Sequence, residues 1–316
     1  MASQVLIYSR FPKKQMLRIG ERFDLLDAAG KPPHEVLGAD QLAGVRALIT
    51  AGGQPLGAEV MASLPRLGAI VCYGTGYDGI DLAAAAARGI VVGNSPAANA
   101  GAVADLALTL MLAATRRVVA ADQYVRSGGW VTSKPSPMLS APRELAGARV
   151  GVYGMGEIGR RVAARAAAFE TEVAYHSRSR HDVPYPYFDC LADLVAWCDI
   201  LIVAVRAGAD TQHIIDADML KKLGPEGTLV NIARGSVVDQ QALVAALRDG
   251  AIGAAGLDVY EAEPHAPDAL TELPNVVLTP HIGGHTAQSH LRMQDCVIAN
   301  LGAFFAGEPL PYPVRG

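Results

Sequence analysis

The stretch Val150-Gly-Val-Tyr-Gly154-Met-Gly156-Glu-Ile-Gly159-Arg-Arg-Val-Ala163 reads as an apolar strand, a GxGxxG turn and the opening of a helix. In that pattern the glycines have separate duties. Gly154 permits a tight turn, Gly156 lets the backbone approach a pyrophosphate, and Gly159 lets helix and strand pack closely. The start of the helix then offers unpaired N–H groups to phosphate. The motif alone is weak in a chain with 33 glycines. Its context strengthens it, because a second apolar run, Glu172–His176, ends about 20 residues further on, where a dinucleotide-binding unit places the residue that meets the ribose.

Outward from this turn the same rhythm continues. Arg149–Tyr153, Glu172–His176, Ile200–Val205, Thr228–Ile232, Gly253–Asp258 and Val276–Leu278 read as buried strands with helices between them, which predicts a doubly wound parallel sheet. Upstream, Val5–Tyr8, Ala47–Thr50, Ala69–Cys72 and Ile90–Val92 read as strands, and Ala58–Leu64 and Leu82–Arg88 as helices, so a second βαβ series is expected. From Gly101 to Arg126 an Ala/Leu-rich segment without internal Gly or Pro predicts one long helix, more apolar than a single face requires. With the glycines Gly128 and Gly129 at its exit it suits a protruding arm, and a homodimer is expected. A proline-dotted loop, Thr132–Pro142, follows, and a last helix spans about Ala287 to Ala306. Breaks at Asn94-Ser-Pro96 and Gly283-Gly284 suggest one domain inserted into another. The expected organisation is α/β: a Rossmann cofactor domain, residues 99–285, inserted into a flavodoxin-like substrate-binding domain, residues 1–98 and 286–316.

Composition removes several function classes. At 51% hydrophobic and 18% charged, the 316-residue chain can bury a large core. The net charge of −4, without a long run of either sign, argues against nucleic acid or an anionic membrane as partner. The four cysteines, Cys72, Cys190, Cys198 and Cys296, form no CxxC pair, which suits free thiols in a reducing compartment. The first apolar run, Val5–Tyr8, is shorter than the about 7–15 residues of a secretory signal, and a cytoplasmic location is expected.

The end of the second strand selects the cofactor. An NAD site places Asp or Glu there to hold the ribose 2′-hydroxyl. This chain has Tyr175-His176-Ser177-Arg178-Ser179-Arg180, with no carboxylate before Asp182. Two guanidinium groups and two hydroxyls suit a 2′-phosphate, so NADP(H) is expected, with NAD possible at lower affinity. The plainer alternative is a solvated basic loop.

Three residues in short contexts at strand ends or in loops carry the candidate chemistry: Arg234 in Asn231-Ile-Ala-Arg-Gly-Ser, Glu263 in Asp258-Val-Tyr-Glu-Ala-Glu-Pro264, and His281 in Thr279-Pro-His-Ile-Gly-Gly284. Strand C-termini face the crevice of a doubly wound sheet, where these groups could converge. Singly, each is bland: an arginine after a strand is usually a surface residue, and a histidine usually packs or caps. Together they fit hydride transfer, which needs an acid, an orienting carboxylate and an anion clamp. A metal site from His281 and His285 is the first rival, but two intervening glycines disfavour a shared helical turn and no third ligand is near, so no metal is expected. A nucleotide-sensing binding protein of the same fold, without turnover, is the second.

These motifs resemble, in order and over most of the chain, the D-isomer-specific 2-hydroxyacid dehydrogenases, nearest to the NADP-dependent glyoxylate/hydroxypyruvate reductases. The resemblance rests on Tyr73-Gly-Thr-Gly-Tyr-Asp-Gly-Ile-Asp81, Val103-Ala-Asp105, the glycine turn, Asn231–Gly235, Leu257-Asp-Val259, Glu263-Pro264 and Pro280-His-Ile-Gly-Gly284. It implies reduction of a small 2-oxo acid. Arg234 would grip the substrate's carboxylate and carbonyl oxygen, and His281 would protonate that oxygen. Glu263 would hold the imidazole and favour its acid form. Tyr73, Thr75 and Gly76 would serve the substrate, the last two through backbone N–H groups. For the cofactor it implies Val103, the turn Gly154, Met155, Gly156, Glu157 and Ile158, and the loop Ser177, Arg178, Ser179 and Arg180. Val205, Arg206 and Thr211 follow, then Ile232, Ala233 and Arg234, and finally Asp258 near the nicotinamide amide with His281 and Gly283. Arg206 stands where the family often has Pro, and His176 replaces the usual acidic residue. Trp130 could line a pocket, that of a partner subunit included, or pack beneath its loop, and substrate choice is expected to depend on loops around Tyr73, Trp130 and Met138.

Overall fold

A computed structural model describes residues 4–132 and 144–314 of the chain. The loop beyond Thr132, with Met138, lies outside the described residues. The chain divides into two units, residues 1–99 with 284–316, and residues 100–283.

In the first unit, β1 (Gln4–Ile7), β2 (Asp24–Asp27), β3 (Ala47–Thr50), β4 (Ala69–Cys72) and β5 (Val91–Gly93) form a parallel sheet in the order β2-β1-β3-β4-β5. This is the strand order of flavodoxin-like sheets. The pleat sends alternate residues to opposite faces. Along β4, Ala69 and Val71 enter one apolar layer, while Ile70 and Cys72 enter the other. β2 is not among the strands expected from sequence. Its two aspartates sit exposed at the ends of an edge strand, which obscures the apolar pair Leu25-Leu26.

The second unit holds β6 (Arg149–Tyr153), β7 (Glu172–His176), β8 (Ile200–Val203), β9 (Thr228–Asn231), β10 (Ala254–Leu257) and β11 (Val276–Leu278), all parallel, in the order β11-β10-β9-β8-β6-β7. Beyond β7 a single parallel bridge joins Tyr175 to Tyr187. That bridge stands where a dinucleotide-binding sheet carries its third strand, so the order becomes 3-2-1-4-5-6 with one further strand. The two faces again divide by alternation, as Ile200 and Ile202 of β8 pack into one layer and Leu201 and Val203 into the other.

The long helix expected over Gly101–Arg126 is two helices, Ala100–Thr115 and Val118–Arg126. Arg117 between them adopts a left-handed backbone, φ 53°. With neither Gly nor Pro at the break, local sequence offers no stop signal. The first helix carries the excess of apolar residues, with only Asp105 and Thr109 exposed along it. Leu110 and Met111 are fully buried, and a Cβ on Gly256 of β10 would come within 2.9 Å of the Leu110 Cβ, so glycine permits this close approach.

Candidate active site

The phosphate-binding turn follows β6. Gly154 has φ 102°, and a Cβ there would lie 2.7 Å from the Val205 nitrogen. Gly156 precedes the helix Glu157–Ala167, and a Cβ on it would meet nothing within 4 Å. A Cβ on Gly159 would fall on the Gly154 carbonyl oxygen. Turn, open approach and close packing are thus each assigned to one glycine. Met155 is buried, which leaves its backbone for ligand contact, and exposed Glu157 pairs with Arg161 at 2.6 Å.

At the end of β7, Arg178, Ser179 and Arg180 are exposed. Ser177 is buried, and its hydroxyl donates to the Ser179 carbonyl at 2.6 Å. Among the described residues neither Arg178 nor Arg180 has a hydrogen-bond or ion-pair partner. An open glycine turn at a helix start and two uncommitted cations nearby in sequence suit a dinucleotide bearing an extra phosphate. Val205 packs at the edge of the core, and the Thr211 hydroxyl accepts from the Gly208 N–H at 2.9 Å.

After β9, Asn231 builds the turn that presents Arg234. Its side chain accepts from the Ala233 N–H at 3.1 Å and donates to the Arg234 carbonyl at 3.0 Å. Ile232 and Ala233 are buried, whereas Arg234 is half-buried. A Cβ on the next residue, Gly235, would fall on the Tyr260 carbonyl carbon, so the Arg234 turn and the loop after β10 lie in direct contact.

That loop carries Glu263. One carboxylate oxygen accepts from the Tyr260 N–H at 3.1 Å, and the other meets His281 Nδ1 at 2.6 Å. Burial works to raise the Glu263 carboxyl. The hydrogen bond and charge of His281, the Tyr260 N–H and the charge of Arg234 outweigh it and hold the group below its ordinary 4.5. Arg234, Glu263 and His281 are therefore brought together. Because Nδ1 is committed to Glu263, Nε2 is the edge of the imidazole left to face a substrate.

His281 has a left-handed backbone, φ 53°, uncommon for a residue with a side chain. Asp258, only 2% exposed, encloses this turn. Its Oδ1 accepts from the Thr279 hydroxyl at 2.6 Å and the Ile282 N–H at 2.8 Å, and its Oδ2 accepts from the Gly283 N–H at 2.8 Å. Val103 packs beside Gly283, where a Cβ would lie 3.5 Å away from it. Tyr260 adds a second tie, its hydroxyl donating to the Thr279 carbonyl at 2.9 Å. Burial, with the charges of Asp258 and Glu263, pushes this phenol up to about 12, so it remains a donor at neutral pH.

Sequence reasoning missed Tyr260, and also the contact of His213 Nε2 with the Glu261 carboxylate at 2.7 Å, beside which the His213 N–H donates to the Ser236 carbonyl at 2.8 Å. Both act by linking segments distant in sequence, and no local pattern marks them. In the first unit, Tyr73 is buried with its hydroxyl 3.3 Å from His290 Nδ1, and burial pushes it up to about 12. Thr75 is braced by Asn94, whose amide donates to its carbonyl at 2.7 Å, and its hydroxyl donates toward Asn99 at 3.0 Å. A Cβ on Gly52 would fall on the Gly76 carbonyl oxygen, so Gly76 is closely backed. His285 lies edge-on to His290, ring centroids 5.3 Å apart, and among the described residues no three His, Cys, Asp or Glu side chains group as metal ligands.

Comparison with known proteins agrees with this geometry. Residues 108–283 match the family described as D-isomer specific 2-hydroxyacid dehydrogenase, NAD binding domain. The chain is 39% identical over 295 residues to glyoxylate/hydroxypyruvate reductase A of Arabidopsis thaliana, covering 93% of each protein. It is 39% identical over 297 residues to hydroxyphenylpyruvate reductase of Plectranthus scutellarioides, covering 94% of each. Among solved structures, the NADPH-dependent glyoxylate/hydroxypyruvate reductase of Sinorhizobium meliloti, in complex with NADP and malonate, superposes with a TM-score of 0.92 at 37% identity, covering 100% of this chain and 97% of that one. With the glycine turn, the Arg234 turn and the Glu263–His281 pair all in place, the chain belongs to the D-isomer-specific 2-hydroxyacid dehydrogenases.

Proposed function

We propose that this protein reduces a small 2-oxo acid, such as glyoxylate or hydroxypyruvate, to the 2-hydroxy acid with NADPH, and uses NADH at lower affinity. The observation that carries this reading is the 2.6 Å contact between His281 Nδ1 and Glu263, beside the charge of Arg234. When bound, the reduced nucleotide supplies the hydride. Its pyrophosphate would rest on Gly154–Ile158 and the helix start, and its 2′-phosphate on Arg178 and Arg180. The same reading gives Val205, Arg206, Thr211, Ile232, Ala233, Asp258 and Gly283 to its remaining length.

Arg234 draws charge toward the substrate's carbonyl oxygen, and the protonated His281 donates to that oxygen from Nε2 as charge develops there. Glu263 fixes the ring through its contact with Nδ1, so that Nε2 faces the substrate. The Thr75 and Gly76 N–H groups are assigned to the substrate carboxylate, with Tyr73 supporting that loop. Support for NADPH comes from the absence of a carboxylate between Tyr175 and Arg180 and from the NADP complex of the Sinorhizobium meliloti enzyme. A spectrophotometric screen of 2-oxo acids against NADPH and NADH tests the proposal. Consumption of NADPH with glyoxylate or hydroxypyruvate is expected. Tight NADPH binding without turnover of any 2-oxo acid would overturn it in favour of a nucleotide sensor.

The unit of residues 1–99 with 284–316 is assigned to the substrate and that of residues 100–283 to the nucleotide. We further assign the protein to the cytoplasm as a homodimer. No helix among the described residues is long and apolar enough to cross a membrane, and all four cysteines are free. Val118, Val119 and Val125 on the second of the two helices are exposed, and Trp130 and Val131 beyond it are 72% and 89% exposed, a run of apolar surface suited to a second copy. Light scattering that returned the mass of a single chain would remove the dimer.

A further inference from the structure

The loop that carries Arg178 and Arg180 leaves β7 at His176 and returns to lie against it. The Tyr175 N–H donates to the Pro186 carbonyl at 2.9 Å, and the Phe188 N–H donates to the Tyr175 carbonyl at 2.8 Å. Between these points the chain has no regular structure. Fixing such a segment costs backbone entropy at every residue. Two tyrosine hydroxyls supply anchors for it.

Tyr175 is fully buried, yet its hydroxyl reaches the loop, accepting from the His181 N–H at 2.8 Å and donating to the His181 carbonyl at 3.1 Å. One phenol thus satisfies both backbone groups of a residue, as a neighbouring strand would. The Tyr187 hydroxyl donates to the Ser177 carbonyl at 3.1 Å, and its ring stacks on His176 at an interplanar angle of 7°. Ser177 in turn bonds the Ser179 carbonyl, and an Arg160 N–H donates to His181 Nδ1 at 3.1 Å. The backbone is held at 177 and 181, on either side of two arginines whose side chains remain exposed.

We propose that Tyr175 and Tyr187 are positioning residues for cofactor selectivity: their hydroxyls preset the backbone of residues 177–181, so that Arg178 and Arg180 meet the 2′-phosphate of NADP(H) without first ordering the loop. The inference rests on the proposed preference for NADPH. Preorganisation of this kind raises affinity by lowering the cost of binding. It acts only on the 2′-phosphate, because the pyrophosphate is assigned to a separate turn. NADH is therefore insensitive to it.

Calorimetric titration of NADPH and NADH, and of adenosine 2′,5′-bisphosphate against 5′-AMP, tests the proposal on the full-length protein. Wild type is expected to bind the 2′-phosphorylated member of each pair more tightly. Tyr187→Phe keeps the ring and is expected to weaken NADPH by about 3- to 10-fold, the worth of one neutral hydrogen bond, with NADH changed less than twofold. In an Arg178→Ala, Arg180→Ala background the same change is expected to have no effect on NADPH, which a merely structural role would not produce. Tyr175→Phe is expected to lower the same ratio and to speed hydrogen exchange at the His181 amide. Should Tyr175→Phe fail to fold, Tyr187→Phe decides alone. Equal losses for NADPH and NADH, or an unchanged ratio in a folded Tyr187→Phe, would overturn the role of the tyrosines while leaving the cofactor reading intact. A wild type that binds both nucleotides equally would overturn the cofactor reading and this inference with it.

Discussion

The loops after β10 and β11 and the loop after β7 are held in different ways within one unit. In the former, the side chains themselves are locked. Glu263 uses both carboxylate oxygens, Asp258 uses both of its own, and His281 is turned outward by a backbone that Asp258 encloses. After β7 the backbone is tied and the arginine side chains are left loose. Proton transfer requires the donor within hydrogen-bond reach at a favourable angle, and a small displacement of the ring is costly. A phosphate spreads its charge over several oxygens and accepts a guanidinium from many directions. On the proposed function, rigidity stands where geometry would control the rate, and charge alone where it would control affinity.

The largest break in that contrast should come from His281→Ala. Turnover is expected to fall about 10²- to 10⁴-fold, the usual worth of a positioned acid, while NADPH affinity stays within about twofold. Near-normal steady-state rates in this variant would remove the proton-donor role. Arg178→Ala should do the reverse, weakening NADPH about 10-fold or more and sparing NADH and turnover at saturation, in line with a charge-assisted contact. Titrations showing equal losses for the two nucleotides would place the arginine outside the 2′-phosphate contact.

Tyr260→Phe sharpens the comparison, since it loosens the locked region without touching Arg234, Glu263 or His281. Loss of its bond to the Thr279 carbonyl should lower kcat about 3- to 10-fold and leave KM for NADPH unchanged. A rise in that KM with kcat intact would relocate its influence to the nucleotide. The smallest effect concerns pH. The Glu263 carboxyl is held below 4.5 in the folded protein, so its contribution to stability is fully present above that value and is lost as pH falls through the lower, folded value. Melting curves of wild type and Glu263→Gln should therefore differ above about pH 4.5 and converge under more acid conditions. A difference that grew on acidification would contradict the sign.

The sheet of the second unit was almost wholly legible, since β6, β7 and β11 occupy the stretches expected from apolar runs and turn residues. Local pattern suffices there because buried parallel strands are continuous in sequence. Arg234, Glu263 and His281 were legible as candidates through their short contexts, and the glycine turn through its spacing. What was hidden acts at a distance. Tyr175 and Tyr187 look like core aromatics in sequence, and their hydroxyls acquire a task only when residues 177–185 fold back beside β7. Tyr260 likewise gains its partner from a carbonyl 19 residues away. The kink at Arg117 was invisible because a left-handed arginine carries no signature.

A single bridge at Tyr187 joins the outer rim to this sheet, so the rim and the end of β7 form one short continuous stretch of chain. If the proposed preference for NADPH resides there, it is a transplantable trait: residues 175–188, moved with both phenols, are expected to carry it into an NADH-using relative, whereas arginines grafted alone would arrive without their scaffold.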